Sequence, residues 1–369
     1  MKLVLGIECT AHTFGIGIIS IGNDSKEVLF NEKNVYHDEH NGMDPRKLSE
    51  FHINNFEIIV TKAKEFLQSM KKDFSDISLL TFSQGPGQGN SLKVAGLVAK
   101  TLAQKYSIPI VGVNHIRSHL EIGKMHTGFK DPLFLNITGV NSQAVASRER
   151  VESDGVCGCE RECFCPSNYA VYGETEDIGL GNFLDSIGRL FDLGFPGGPV
   201  IDKLATEGKT MLEIPYTIKG MNVSFAGTIS NIKQKKEAFE NKKSIKTISG
   251  DEILYDNYEI FLRDLCYSII ETSFAMILEV AERALAYTQK KELVLVGGVA
   301  SSKRFVEMTK GMCKLRKVSY EALPLSLCMD NGAMIAWAGY VRWQEKGKPN
   351  PVNLSNLKPM PYITVENNI

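Results

Sequence analysis

His115 and His119 stand four residues apart in Val113-Asn114-His115-Ile116-Arg117-Ser118-His119. On a helix that spacing turns both imidazoles to one face, which suits two ligands of a single metal ion. A zinc-protease helix carries its general base directly after the first His. Ile116 fills that position, so a metalloprotease is the weakest reading. A surface helix with two unconnected histidines is the plain alternative. Asp330 lies in Cys328-Met329-Asp330-Asn331-Gly332-Ala333-Met334. It could complete the pair as a carboxylate ligand. The same residues also read as the capped start of an apolar helix. Cys157, Cys159, Cys163 and Cys165 form a C-x-C-x3-C-x-C cluster. A structural zinc site and an unstructured cysteine-rich loop both fit; the spacing is tighter than that of a two-knuckle zinc site. Cys9, Cys266, Cys313 and Cys328 read as small buried hydrophobes.

Other polar residues sit at turns. Glu8, Thr10 and Thr13 fall between two apolar runs, where backbone N–H groups and hydroxyls can wrap a phosphate, as an ordinary turn also would place them. Asp185 stands near the expected start of a helix, in Gly181-Asn182-Phe183-Leu184-Asp185. It could hold a ribose hydroxyl or be a solvated helix carboxylate. Gly197-Gly198 would let a ligand approach the backbone, and Asp202 follows. Lysines 233, 235, 236, 242, 243 and 246 make a run broken by Glu237 and Glu240. It reads as a solvated face or as a phosphate-contacting patch.

The elements that must position these residues follow from hydrophobic pattern. Residues 3–8 and 14–20 are apolar runs around a short polar turn, a hairpin. The plan recurs at 133–137 and 143–146. A third unit of the kind covers 293–302, ahead of a helical stretch. Residues 53–70 put Phe56, Ile59, Val60, Ala63 and Phe66 on one helical face. Strand 77–82 runs into the glycine-rich 83–90 and an apolar helix from Leu92 to Leu102, a phosphate-facing arrangement in α/β folds. Its spacing is neither a Walker loop nor G-x-G-x-x-G. A short strand at 109–113 precedes the histidines. A long helix over 257–288 carries Phe261, Leu265, Ile269, Phe274, Ile277 and Leu285. Two hairpins and a late Gly-Gly strand predict a duplicated α/β architecture with the ligand in a cleft between halves.

The 369 residues suffice for two or three domains. With 43% apolar and 23% charged residues the chain is globular. Lys+Arg 42 against Asp+Glu 43 leaves a net charge of -1. That excludes an autonomous, strongly basic nucleic-acid binder, though not contact through a local patch. No apolar run reaches the ~18 residues of a membrane span. The first residues pass straight into a strand without a signal-peptide core. A cytosolic setting is expected, with cysteines as thiols or metal ligands.

Taken together these segments resemble one family, the tRNA N6-adenosine threonylcarbamoyltransferases, which include the catalytic subunit of the KEOPS complex. The matching stretches are Gly6-Ile7-Glu8-Cys9-Thr10-Ala11-His12-Thr13, Gln84-Gly85-Pro86-Gly87, Val113 to His119, and Gly173-Glu174-Thr175 with Gly181 to Asp185. Val223-Ser224-Phe225-Ala226-Gly227, Val296-Gly297-Gly298-Val299-Ala300 and Asp330 to Met334 complete them, over roughly residues 3–342. The Thr-Ala-His-Thr turn and residues 214–221 look like the archaeal and eukaryotic branch. The resemblance implies an actin-like ATPase (ASKHA) fold of two similar halves. Residues 1–120 would form the first half, with a helix near 331–345 packing back on it. Residues 121–330 would form the second, with a Cys-rich insertion at 148–167, and 346–369 a tail.

It also implies transfer of a threonylcarbamoyl group from threonylcarbamoyl-AMP to N6 of adenosine 37 in tRNAs reading ANN codons. A divalent metal, iron with zinc as the alternative, would be held by His115, His119 and Asp330 and act as a Lewis acid. Family ligand positions fall on Asn136, Ile137, Thr138, Gly139, Val140, Asp185, Gly198, Asp202 and Ser302. The 136–140 turn would contact the threonylcarbamoyl and phosphate groups, and Asp185 and Asp202 would face the nucleoside. The implied partners are tRNA and the other KEOPS subunits: a small atypical kinase, its regulator and a dimerisation subunit. The setting is the cytoplasm, or also the nucleus in a eukaryote. The sequence departs from the family pattern at Asn136, where a Tyr is expected, at Val140 in the glycine turn, at Ser302 in place of Asn, and in its four-cysteine loop. A non-catalytic scaffold subunit and an ASKHA small-molecule phosphotransferase are the rival readings.

Overall fold

The first two apolar runs pair as an antiparallel hairpin, β1 (Lys2–Glu8) and β2 (Thr13–Ile21), with Gly6 opposite Gly17. In this computed structural model the described residues are 1–23, 25–36, 44–139, 142–148, 168–345, 354 and 357–367. β3 (Lys26–Val35) continues the sheet antiparallel to β2. β4 (Ile77–Gly85) lies parallel to β1, and β5 (Ile110–Asn114) parallel to β4. The order is β3-β2-β1-β4-β5. Strands covered on both faces need no polar alternation, and β2 is buried along its whole length. α1 (Pro45–Ser69) opens with Asp44 accepting the Arg46 and Lys47 N–H groups. It buries Ile59, Ala63 and Leu67 in one core with Val94, Ala95 and Leu102 of α2 (Gly89–Tyr106) and Leu3, Leu5 and Phe82 of the sheet. α3 (His115–Thr127) follows β5 directly, capped by Asn114.

The next segment repeats the plan. β6 (Leu133–Ile137) and β7 (Ser142–Ser147) form an antiparallel hairpin, followed by β8 (Tyr169–Glu174). Then come α4 (Leu180–Leu190) and α5 (Gly197–Ala205). The two-residue pairs β9 (Ile218–Lys219) with β10 (Asn222–Val223) and β11 (Ile245–Lys246) with β12 (Glu252–Ile253) flank α6 (Ala226–Glu240). α7 (Tyr258–Thr288) is the long helix read from the sequence. β13 (Glu292–Val296) is parallel to β6 and β14 (Ser319–Ala322) is parallel to β13, with α8 (Lys303–Arg316) between them. The 293–302 unit is therefore a strand, a 3-10 turn at Gly298–Ser301 and a helix, not a hairpin. The sheet order is β14-β13-β6-β7-β8. Read from β8, its order repeats that of the first sheet, and β7, β6, β13 and β14 pair with the same senses as β2, β1, β4 and β5.

The chain then forms α9 (Leu325–Cys328) and α10 (Gly332–Glu345). α10 lies on β1 and β2 at glycines. A Cβ on Gly17 would fall 2.1 Å from the Ala333 nitrogen, and one on Gly332 would fall 2.0 Å from the Gly17 nitrogen. Only hydrogen fits between these backbones. The C-terminal segment binds the ends of β4 and β5: Met360 N donates to Gln84 O at 2.7 Å and Asn114 Nδ2 to Thr364 O at 2.7 Å. The chain divides into two compact units, residues 1–128, 148–170 and 324–369, and residues 129–147 and 171–323. No helix among the described residues is long and apolar enough to cross a membrane. Cys157, Cys159, Cys163 and Cys165, and with them Val140, lie outside the described residues. The other four cysteines are buried, as their apolar surroundings require.

Candidate active site

In the first unit the strand β5 ends at Asn114, whose Oδ1 accepts the Arg117 N–H at 3.1 Å and starts α3 at His115. One helical turn later His119 points the same way; the two rings meet edge to face, centroids 4.9 Å apart. Asp330 reaches them from the α9–α10 connection. Its Oδ1 lies 3.5 Å from His115 Nε2 and 3.3 Å from His119 Nε2. Asp330 is free to do so because Asn331 caps α10, its Oδ1 accepting the Met334 N–H at 3.0 Å. The capped helix start read in the sequence is thus Asn331's work, and the metal reading of Asp330 does not compete with it.

Glu8 stands behind the pair. Its Oε2 accepts from His115 Nδ1 at 3.0 Å, and its Oε1 accepts from Thr10 N at 2.8 Å and Thr10 Oγ1 at 2.5 Å. A carboxylate can only accept, so His115 carries a proton on Nδ1, and Nε2, which faces Asp330, is the atom that a metal would take in place of a second proton. The turn is fixed from two sides, by His52 Nε2 to Ala11 O at 2.7 Å and by Gln88 N to Thr10 O at 2.7 Å. Glu8 and Thr10 therefore serve the histidine rather than a phosphate, and Thr13 is buried in β2. Glu8 was visible in the sequence only as a turn residue; its 107-residue separation from His115 hides the contact.

Electrostatics divides the histidines. Burial would lower His115, but the charges of Glu8 and Asp330 and the Glu8 hydrogen bond outweigh it and push it up to about 9. His119 moves down, chiefly by burial, with the His115 charge adding to it. Burial works against ionising Asp330, yet both histidines hold it well below the usual carboxylate range. Two fixed anions thus face the pair, and a proton on His115 and a metal ion are alternative ways to neutralise them.

The donor set fits a metal. One donor atom from each of His115, His119 and Asp330 lies within 4.8 Å of the others. A tetrahedral ion with bonds of about 2.1 Å spans ligand pairs about 3.4 Å apart, close to the 3.5 and 3.3 Å observed. Two imidazoles and one carboxylate suit Fe2+ or Zn2+. The Glu8–His115 bond is the outer-shell carboxylate that metal-bound histidines usually carry. His119 Nδ1 is buried without such a partner among the described residues.

The second unit collects the remaining sequence-predicted residues. Asn136 and Ile137 end β6, and Asn136 Oδ1 is buried without a hydrogen-bond partner among the described residues. Thr138 and Gly139 follow, and Asn182 N donates to Gly139 O at 2.9 Å, seating this turn on the start of α4. Asp185 lies in the middle of α4 rather than at its start. Its Oδ1 accepts the Gly197 N–H at 2.8 Å and so caps α5, which carries Gly198 and Asp202. Burial raises the Asp185 carboxyl against the Gly197 and Gly198 N–H bonds. Burial also raises Asp202, against a hydrogen bond from Ser302, and Ser302 Oγ accepts the Phe305 N–H at 3.3 Å to cap α8. Asp185, Gly198, Asp202 and Ser302 are therefore linked by direct contacts. Half of the lysine run is engaged: Lys235 is buried, Lys236 donates to Leu190 O at 2.8 Å, and Lys246 pairs with Glu213 at 3.1 Å. Lys233, Lys242 and Lys243 are exposed.

A family model described as TsaD, tRNA N6-adenosine threonylcarbamoyltransferase, matches residues 26–337. The chain is 41% identical over 337 residues to the tRNA N6-adenosine threonylcarbamoyltransferase of Thermococcus sibiricus, covering 91% of this chain and 90% of that protein. It is 38% identical over 353 residues to the protein of the same name from Nanoarchaeum equitans, covering 94% and 98%. Against the probable bifunctional tRNA threonylcarbamoyladenosine biosynthesis protein of Methanocaldococcus jannaschii it is 39% identical over 337 residues, 91% of this chain but 55% of the relative. This chain thus spans about half the length of that bifunctional relative. Among solved structures, HypF of T. kodakarensis shares the fold, with a TM-score of 0.55 at 14% identity, over 94% of this chain and 49% of that one.

Proposed function

The chain belongs to the tRNA N6-adenosine threonylcarbamoyltransferase family, and from that premise we propose that it forms threonylcarbamoyladenosine in tRNA. The donor is threonylcarbamoyl-AMP and the acceptor is N6 of adenosine 37 in tRNAs reading ANN codons. The new C–N bond forms at the carbamoyl carbon as AMP leaves. The observation that carries the reading is the convergence of His115, His119 and Asp330 with Glu8 behind them. Those three residues hold Fe2+, with Zn2+ the alternative. When bound there, the ion supplies Lewis-acid polarisation of a carbonyl oxygen. Glu8 holds His115 in one tautomer and orientation, and Thr10 holds Glu8. Asp330 accepts no helix-capping duty, so its carboxylate stays committed to the histidines.

In the second unit the 136–140 turn takes the threonylcarbamoyl and phosphate groups. Asp185 and Asp202 take the nucleoside, with Gly198 and Ser302 beside them. The contacts among these residues support their acting together. The protein works with tRNA in the cytosol as the catalytic subunit of a KEOPS-type complex, alongside a small kinase, its regulator and a dimerisation subunit. The name of the bifunctional relative is consistent with such company.

The test incubates the protein, with those partners supplied, with threonylcarbamoyl-AMP and an ANN-decoding tRNA. Nucleoside mass spectrometry reads the product. Wild type should yield threonylcarbamoyladenosine and His115→Ala none. Folded wild-type protein that yields none beside a working control enzyme overturns the catalytic reading and leaves a scaffold subunit, with Asn136 and Ser302 the responsible departures.

A further inference from the structure

Asp330 has no secondary structure of its own. It sits in the connection between α9 and α10, where a carboxylate would swing unless the backbone were held. Asn331 holds one side, donating through Nδ2 to Met329 O at 2.7 Å while capping α10. The other side is held from the edge strand β3. Asn31 Nδ2 donates to Ser326 O at 3.3 Å and its Oδ1 accepts the Ala333 N–H at 3.3 Å. Lys33 Nζ donates to Asp330 O itself at 3.1 Å. Asn31 and Lys33 are two apart on one strand and so share a face. They stand opposite Gly17 and Gly15 of β2, whose missing side chains leave the room that α10 fills. Three backbone positions spanning the ligand, at 326, 330 and 333, are thus tied to a single strand.

We propose that Asn31 and Lys33 are positioning residues of the metal centre: they fix the 326–333 backbone and so aim the Asp330 carboxylate at His115 and His119. The inference rests on the metal reading above. Groups hydrogen-bonded to metal-binding side chains typically carry a ten- to hundredfold share of metal affinity; Asn31 and Lys33 act one bond further out, through the backbone, which sets the lower end of that range as the expectation. Asn31 is the cleaner probe because it is neutral. Lys33 also places a positive charge near the ion, which opposes binding, so its affinity effect is a difference of two terms and its geometric effect is the better readout.

The experiment titrates metal-stripped full-length protein with Co2+ and follows visible absorption, which reports both affinity and coordination geometry. Asn31→Ala should bind Co2+ about tenfold more weakly and shift the ligand-field bands. Lys33→Met should shift the bands, and Lys33→Arg, which keeps donor and charge, should restore them. Asn222→Ala, which removes side-chain bonds to Glu174 N and Glu176 in the other unit, should leave affinity and bands at wild type. A folded Asn31→Ala protein with wild-type Kd and bands overturns the proposal. If Asn31→Ala does not fold, Lys33→Met decides: unchanged bands overturn it and shifted bands uphold it. Wild-type protein that takes no Co2+ sinks the metal reading itself, a result distinct from a variant that binds like wild type.

Discussion

The two units build the same sheet and load it with different chemistry. β1 ends at Glu8, whose carboxylate accepts from the His115 ring. β6, the corresponding strand, carries Asn136 near its end, and Gly139 just beyond it accepts from Asn182 N of α4. In the first unit two carboxylates face imidazoles, and the unneutralised charge calls for a cation. In the second the carboxylates of Asp185 and Asp202 are directed at helix N–H groups and a hydroxyl. Both carboxylates are thus hydrogen-bonded within their own unit and face no imidazole. The same strand order thus carries carboxylates in two different environments, and the side chains around them make the difference.

If the two sites are chemically separate, each should fail alone. The largest effect belongs to His119→Ala. On the proposed function, losing metal polarisation worth several kcal/mol should cut transfer by about 10³-fold and abolish metal binding at this site. Calorimetric affinity for an AMP-containing ligand should stay at wild type; a parallel fall would break the separation. Next comes packing. Gly17→Ala drives a methyl into the α10 backbone and should cost about 3 kcal/mol or more in urea unfolding. Gly311→Ala on α8, where a Cβ meets nothing within 4 Å, should gain about 0.5–1 kcal/mol. Asp185→Asn keeps an acceptor for Gly197 but loses its charge. It should raise the KM for threonylcarbamoyl-AMP about tenfold, about 1.4 kcal/mol, with metal content by elemental analysis unchanged. The smallest effect is Ser302→Asn, which keeps a good cap and lengthens the donor; KM should fall about threefold. A rise would mean that Ser302 suits this chain's own ligand better than the family's residue.

Much of this was legible in the sequence, for physical reasons. Hairpins 3–20 and 133–146 announce themselves because fully covered strands are continuous apolar runs. The His115–His119 pair is legible because helical spacing converts sequence distance into a shared face. Asp330 was found through resemblance, and the local pattern pointed equally to a cap until Asn331 proved to fill that role. In the sequence Glu8 points to a phosphate instead of to His115, and nothing there marks Asn31 or Lys33. Each acts across a gap of 107 residues or more. No periodicity links residues that meet only when a strand and a distant helix are stacked. Asp185 was misplaced along its helix because α4 starts at Leu180 on a glycine that makes no side-chain cap, leaving no signal at its N-terminus.

The seam between Gly17 and Gly332 has a genetic consequence. Where two side chains touch, a harmful enlargement of one is commonly rescued by trimming the other. Here both partners are already glycine, so nothing remains to trim. A selection for revertants of Gly17→Ala should therefore return the original codon and few second-site suppressors. In a lineage of such proteins these positions would be expected to stay fixed while the side chains around them drift.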